Sequence, residues 1–356
     1  MNKKGLLFLV ACCSTLLAAA QTAVSTYQPG VTTEGAVYYL PKTALRISVL
    51  VEKSTYTPGD FAKYASRYLR LNDVKQEGET AYRIVGISQQ AFGVADTSKV
   101  YAVRFNAKTV AANVALADDG RLLAINAEGK RQPDLKEFKA APKGRQVNPR
   151  QFLTEEILAA GSTAKMAELT AREIYDLREN RSLLIKGQAD FMPSDGRQMQ
   201  LMLGQLDAQD QALTQLFQGT TERDTVEQVF YFCPDGPVSK QLIFRFSKKF
   251  GVVEADNLVG SPYYINIEDE HTVPVLAADA KNKKKNENGI YVNVPGRMRS
   301  TILGGVDVAD VSEFPAAQFG NVELLSGELF NKRYTTRLWL NPTTGALERL
   351  EADEPK

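Results

Sequence analysis

The sequence predicts an α+β protein: two β-rich lobes with a central antiparallel helical hairpin, the C-terminal lobe sandwich-like. Three observations predict it. Short runs rich in Val, Ile, Leu and Tyr, bounded by turn residues, fill 36–126 and 220–350, as half-buried strands require. Between them, apolar residues in 151–219 recur at helical spacing along two long segments. A bend at Phe191-Met192-Pro193 separates those segments, so they fold back on each other as helices ~30–35 Å long.

Taken in order, residues 1–20 read as a secretory signal peptide. Lys3 and Lys4 form a basic start, 5–20 is an apolar stretch of 16 residues, and Ala18-Ala19-Ala20 offers small residues for cleavage near Ala20. The stretch is shorter than the ~20 residues of a spanning helix and is interrupted by Ser14 and Thr15, so no transmembrane anchor is expected after cleavage. Leu9-Val10-Ala11-Cys12 has the form of a lipobox that would leave a lipidated Cys12. The apolar segment before Cys12 is very short, however, and the run continues through 16–20, which favours cleavage at Ala20.

An N-terminal α+β domain is expected over 21–135. It holds an exposed leader up to 35, strands at 36–40 and 44–53 divided by Pro41-Lys42, and a helix opened by Asp60 with Phe61, Tyr64, Ala65, Tyr68 and Leu69 on one face. Further strands fall near 81–88, 99–105, 110–116 and 122–126. The run 136–150, rich in Lys, Arg, Pro and Gly, reads as a linker. Within 151–219, Thr163 opens a helix that ends near Gly187, with Met166, Leu169, Ile174, Leu177, Leu184 and Ile185 on its apolar side. Ser194 or Asp195 opens the second helix. Its stripe is Met199, Met202, Leu203, Leu206, Leu213, Leu216 and Phe217, and Gly219 lies past its end. The C-terminal β-rich domain, 220–356, has its best strands at 226–233, 241–246, 263–267, 290–294, 300–303 and 337–340, and closes in a hairpin through 341–345. The polar run 281–288 reads as a solvated loop.

Composition narrows the chemistry. With 43 Lys+Arg against 42 Asp+Glu, nothing electrostatic recommends a nucleic-acid partner. Loss of residues 1–20 would remove Cys12 and Cys13, leaving Cys233 alone and no intramolecular disulfide. His271 is the only histidine and no G-x-S-x-G elbow exists, which argues against a Ser–His hydrolase. Cys233, at the end of Phe230-Tyr231-Phe232, reads as a buried, inert thiol. One His and one Cys cannot supply a structural zinc site. In Glu268-Asp269-Glu270-His271, neighbours on an extended backbone point to opposite sides and cannot converge on a cation. No phosphate-cradling or dinucleotide fingerprint appears, so no cofactor is expected.

Two carboxylates flanking a sugar bond remain the enzymatic alternative, a carbohydrate-active hydrolase. It would show a deep cleft with acids ~5–9.5 Å apart. A binding module would instead show a shallow aromatic or apolar surface. Glu173, Asp176 and Glu179 alternate with Arg172, Arg178 and Arg181 on the first long helix. They read as an ion-pair ladder that docks the hairpin on a β lobe, and Glu173, Asp176, Arg178, Glu179 and Arg181 are the candidate binding face. Of the 14 tyrosines, the adjacent pairs Tyr38/Tyr39 and Tyr263/Tyr264 should each turn one ring outward.

The segments Ile174-Tyr175-Asp176-Leu177-Arg178-Glu179-Asn180-Arg181, Gly187-Gln188-Ala189-Asp190 and Met192-Pro193-Ser194-Asp195-Gly196 resemble an exported family of Bacteroidetes proteins, domain of unknown function 4831. So do Val294-Pro295-Gly296, Ala317-Gln318-Phe319-Gly320 and Asn341-Pro342-Thr343-Thr344-Gly345. The resemblance spans nearly all of the chain after residue 20. The family carries no assigned activity, so it implies no catalytic residues. It implies a Gram-negative host and a periplasmic or outer-membrane-facing destination. On the same ground Asp224-Thr225-Val226 matches a Bacteroidetes O-glycosylation pattern, which would place the modification on Thr225. The reading that results is an exported, non-enzymatic binding or assembly protein of a Gram-negative cell envelope, with an unknown protein or glycan of that envelope as partner.

Overall fold

The computed structural model describes residues 23–27, 36–104, 113–142, 148–274, 289–304, 307–330 and 335–353. The expected signal peptide with Cys12 and the loop at 281–288 lie outside the described residues. The fold is α+β, and the described residues form three antiparallel sheets. The first sheet has the order β1 (Ala23–Thr26), β3 (Glu79–Arg104), β2 (Ala36–Thr57), β6 (Thr220–Phe232). The second runs β11 (Asp307–Ser326), β10 (Gly289–Gly304), β9 (Ser261–Asp269), β7 (Val238–Ser247), β8 (Gly251–Val253). The third runs β13 (Leu347–Asp353), β12 (Thr335–Leu340), β5 (Leu122–Ile125), β4 (Val114–Leu116).

The sheets cross the boundaries expected from the sequence. Strand β6, from the expected C-terminal domain, pairs with β2 from Leu45 to Thr57, and β12 pairs with β5. Both β cores mix residues from the two sides of the helical region. One packs Tyr38, Leu40 and Val103 of the first sheet on Leu122 and Ile125 of β5, Ile290 and Val292 of β10, and Leu338 and Leu340 of β12. The other is a sandwich of Leu45, Ile47, Val49 and Val51 against Phe244, Ile265, Ile267, Met298 and Ile302.

Strand β2 serves both cores because it breaks at Pro41. Its inward residues are Tyr38 and Leu40 before the break and Leu45, Ile47, Val49 and Val51 after it, so the alternation changes phase. Tyr39 pairs with Val100 but Pro41 pairs with Ala95, which sets Asp96, Thr97, Ser98 and Lys99 of β3 opposite the single residue Leu40. The hairpin β10–β11 breaks in the same way. Val294 pairs with Asn321 but Gly296 pairs with Ala316, which sets Ala317-Gln318-Phe319-Gly320 outside the ladder. What reads as two strands on each side of Pro41, and again on each side of Pro295, is therefore one long strand with a bulged partner. Strand β11 has no counterpart in the sequence reading, because Pro315, Gly320 and the bulge disguise its alternation.

Side-chain amides join the two breaks. Asn293, 1% exposed, donates through Nδ2 to the carbonyls of Pro41 (2.9 Å) and Thr344 (2.8 Å). The Gln318 amide takes the place of a strand for Thr43: its Oε1 accepts the Thr43 N–H (3.0 Å) and its Nε2 donates to the Thr43 carbonyl (2.8 Å). Arg121 reaches Asp119, Gln132 and the Pro342 carbonyl. The chains approach so closely here that a Cβ on Gly296 would lie 2.1 Å from the Phe319 carbonyl oxygen, and one on Gly320 would lie 1.9 Å from that of Val294.

The helices form a separate layer. Residues 61–69 are a short 3-10 turn, Ala62–Tyr64, followed by α1 (Ala65–Leu69), rather than one helix capped by Asp60. The Asp60 carboxylate instead accepts hydrogen bonds from Arg150. A one-turn helix α2 (Glu155–Leu158) precedes α3 (Thr163–Lys186), whose N-cap is Ser162, one residue before the expected Thr163. Asp195 caps α4 (Gly196–Gln218) by accepting the Gln198 amide at 2.7 Å. Helices α3 and α4 are antiparallel, and their inner ends close on α1 in a core of Phe61, Ala65, Leu69, Ala167, Ala171, Ile174, Leu177, Leu213, Leu216 and Phe217. The outer half differs from expectation. Met199, Met202, Leu203 and Leu206 are only half-buried and Ile185 is 56% exposed. The apolar stripes run the length of both helices, but the core with α1 covers only their inner half, and of the outer stripe Leu184 is buried while the rest is half-buried or exposed.

Two consequences can be measured. Leu177→Ala is expected to cost about 2–5 kcal/mol through lost transfer energy and a cavity, and Leu203→Ala clearly less, read as the shift in denaturation midpoint; equal losses would mean that the outer half is as well covered as the inner. Asn293→Ala leaves the Pro41 and Thr344 carbonyls unpaired in a dry site and should cost about 2–4 kcal/mol. A loss below about 1 kcal/mol would show that the junction tolerates their desolvation.

Candidate functional site

The expected ladder on α3 is spent within the hairpin. Arg178 pairs with Asp210 at 3.0 Å and Arg181 with Asp207 at 2.6 Å, both on α4. Arg178 also donates to Thr214. Arg172 lies 3.8 Å from Glu168, one turn back. Glu173, Asp176 and Glu179 make no ion pair among the described residues. The arginines therefore tie α3 to α4 and not the hairpin to a β lobe. All four partners of the cross-helix pairs are partly solvated, so each pair contributes only ~0–1 kcal/mol.

The apolar counterpart lies at the far end of the same hairpin. Ile185, Phe191, Met192 and Leu201 are 56%, 68%, 40% and 69% exposed. Beside them opens a groove of about 450 Å³ between the helices, lined by Leu183, Leu184, Phe191, Met202 and Leu206. Of these, Leu184, Ile185, Met202 and Leu206 belong to the expected apolar stripes, where Leu184 is buried and the other three are not, while Phe191 and Met192 belong to the expected bend.

A second hollow, of about 640 Å³, lies where the loop after α1 meets the ends of β2 and β3. It is polar: Arg70, Asn72, Asp73, Lys75 and Glu79 line it, with Tyr56 at its base hydrogen-bonded to the carbonyl oxygens of Lys75 and Gln218. Glu79 pairs with Lys75. Asp73 is the one lining carboxylate with no ion partner among the described residues.

The described part of the expected linker is strapped to the outer face of the first sheet over a third hollow of about 810 Å³. Lys136 exchanges backbone hydrogen bonds with the Gln90 amide and its carbonyl also accepts from Arg46. Arg46, 4% exposed, sits 3.0 Å from Glu227 on β6. Burial opposes ionisation of Glu227, but hydrogen bonds from Ser48 and the Phe138 amide, with the Arg46 guanidinium, outweigh it and hold the carboxyl below its ordinary pKa. The sequence signal for this site is modest: Arg46 and Ser48 interrupt the apolar run 44–51 of β2.

The remaining candidates disperse. Cys233 is exposed, not buried as expected; desolvation raises its thiol pKa despite the nearby Lys42 ammonium, which leaves little thiolate. His271 projects into solvent 3.2 Å from Asp269, while Glu270 turns to Arg297 and Arg299. Among the described residues, no three His, Cys, Asp or Glu side chains gather as a metal site. Thr225 lies half-buried inside β6, opposite Glu52, and not in a loop before the strand. Among the described residues no helix is long and apolar enough to cross a membrane.

Fold and surfaces together define an α+β scaffold of three antiparallel sheets that carries a two-helix arm. The chain belongs to the family described as Domain of unknown function (DUF4831), whose model matches residues 34–348. No curated protein and no solved structure matches it.

The Glu227 arrangement sets a pH dependence. The folded state favours the ionised carboxylate, so its stabilisation is complete above the unfolded Glu pKa of about 4.3 and is lost as pH falls through the lower folded value. Glu227→Gln should be less stable than the native chain at neutral pH, with the gap closing in acid in denaturation curves. A gap that widens in acid would reverse the assignment.

Proposed function

We propose that the protein is an exported, non-catalytic binding or assembly component of a Gram-negative cell envelope, and that the outer end of its helical arm is where a partner docks. One observation carries this reading: Phe191, 68% exposed, lines an open groove with Leu183, Leu184, Met202 and Leu206, at the same end of the arm where Ile185, Met192 and Leu201 are exposed. Large apolar side chains grouped on a surface mark interaction sites, because leaving them in water forfeits about 25 cal/mol per Å² of burial. The hydrolase alternative needs a carboxyl that keeps its proton. In the hollow where Glu227 stands beside Asp134 and Glu137, the Ser48–Arg46 set holds Glu227 below the ordinary range and so in the ionised form.

Export follows from residues 1–20 and the family resemblance, and partner binding from the arm. Both are testable in a Bacteroidetes host. Mass spectrometry of the envelope fraction should find a chain beginning at Gln21, and a photo-crosslinker at Phe191 should capture a partner that one at Arg172 does not. Phe191→Ser should abolish that capture without lowering the melting temperature. An unprocessed cytosolic chain would overturn the export reading, and capture from Arg172 alone would overturn the docking site.

A further inference from the structure

The hollow under the strapped run 134–139 has a volume of about 810 Å³, within the ~300–1,000 Å³ of small-ligand sites. Its floor is charged yet buried. Arg46, 4% exposed, lines it, with Nη1 donating to the Lys136 carbonyl at 3.0 Å and Nη2 3.0 Å from Glu227. A guanidinium carries five N–H donors, so these two contacts leave donors over. The pair is fixed in place, because Glu227 also accepts hydrogen bonds from Ser48 and from the Phe138 amide.

Two features of the walls stand apart from what holds the strap down. Asp134, Lys136, Glu137 and Lys139 alternate in sign along it, line the hollow, and are all exposed. Among the described residues none of the four makes an ion pair, although opposite charges lie one to three positions away. The strap is fastened through the Lys136 backbone, which bonds to the Gln90 amide and to Arg46, so these charged side chains are left free. The other wall is Tyr231 on β6. Its side chain is 66% exposed, yet Phe92 braces the ring edge-on, with centroids 5.8 Å apart and planes at 81°. An aromatic ring held still in water offers an apolar surface with a polar tip.

We infer that this hollow binds a neutral oligosaccharide. The lining selects that class. Arg46, Lys136 and Lys139 are balanced by Asp134, Glu137 and Glu227, so an anion or a cation meets as much repulsion as attraction. An apolar guest would desolvate charged groups and return no hydrogen bond. A sugar hydroxyl both donates and accepts, so a row of hydroxyls answers a rim of alternating carboxylates and ammonium groups with charge-assisted bonds. The C–H face of a sugar ring is apolar and flat, which suits the Tyr231 ring. Strand β6 begins beside the arm, just after α4, and Tyr231 lies next to its other end. The site is therefore separate from the Phe191 groove, and its ligand is additional to the partner proposed there.

The test is titration calorimetry of the purified protein against neutral oligosaccharides of glucose, mannose, xylose and N-acetylglucosamine, with an oligogalacturonate as the charged control. At least one neutral series should bind with a Kd of about 1 mM or tighter. Tyr231→Ala should weaken that binding about 10-fold or more at an unchanged melting temperature, whereas Tyr231→Phe, which keeps the ring, should stay within about threefold of the native chain. Asp134→Ala with Glu137→Ala should weaken it as well, again without a change in melting temperature. Absence of binding by every neutral series up to about 10 mM overturns the inference. Binding that survives Tyr231→Ala, or that is confined to the oligogalacturonate, overturns it equally. Phe191→Ser should bind the oligosaccharide as the native chain does, so this reading and docking at the arm fail separately.

Discussion

Two long hairpins that break at the same level, and the amides that tie the breaks together, set the geometry of the whole β region. A proline removes one ladder donor at position 41, and the register slip beside it exposes carbonyls and amides that a continuous sheet would have paired. Those groups are buried, so each needs a partner. Asn293 and Gln318 supply it from the opposite hairpin, and Arg121 supplies it from the third sheet by way of the Pro342 carbonyl. The phase change that follows from the slip lets one face of β2 line two different cores. Remove the junction and the three sheets lose both their register and their common wall.

This accounts for what three of the segments that carry the family resemblance do. Val294-Pro295-Gly296, Ala317-Gln318-Phe319-Gly320 and Asn341-Pro342-Thr343-Thr344-Gly345 come from distant parts of the chain and meet at this one place. Their glycines allow backbones to touch, their amides satisfy stranded carbonyls, and their turn delivers the Thr344 and Pro342 carbonyls to Asn293 and Arg121. They are architectural. The segments on the arm differ, because their apolar members Phe191 and Met192 face water and their charged members Arg178 and Arg181 lock the two helices together. A stiff arm rooted in a core at one end and apolar at the other is suited to contact with another molecule, and the sheets are suited to hold it.

Much of this was legible in the residues. The α+β class, the two long helices, a cap at Ser194 or Asp195, the bend at 191–193, and most strand centres follow from periodicity and from turn chemistry, which act over a few neighbours. Helix starts moved by one residue where Ser162 and Thr163 compete for the same cap. Strands on either side of Pro41 and Pro295 were read as separate because a bulge breaks alternation without breaking the strand, and β11 was missed for the same reason. For the candidate site, the arginines and acids of α3 were visible, but their partners on α4 were not. Choosing Asp207 and Asp210 over Glu173, Asp176 and Glu179 depends on which helix face meets which, and local spacing leaves that open.

Local chemistry therefore determined where helices and strands form, and that the chain has no histidine or cysteine constellation to work with. Pairing across large sequence separations decided the rest. That β6 joins β2, that the run after residue 135 is strapped over Arg46 and Glu227, and that Cys233 is exposed all depend on contacts between residues scores of positions apart. The same holds for the arm. An apolar stripe states that a helix face prefers to leave water, but only the packed structure shows how far a cover extends, and here it ends half-way along α3 and α4.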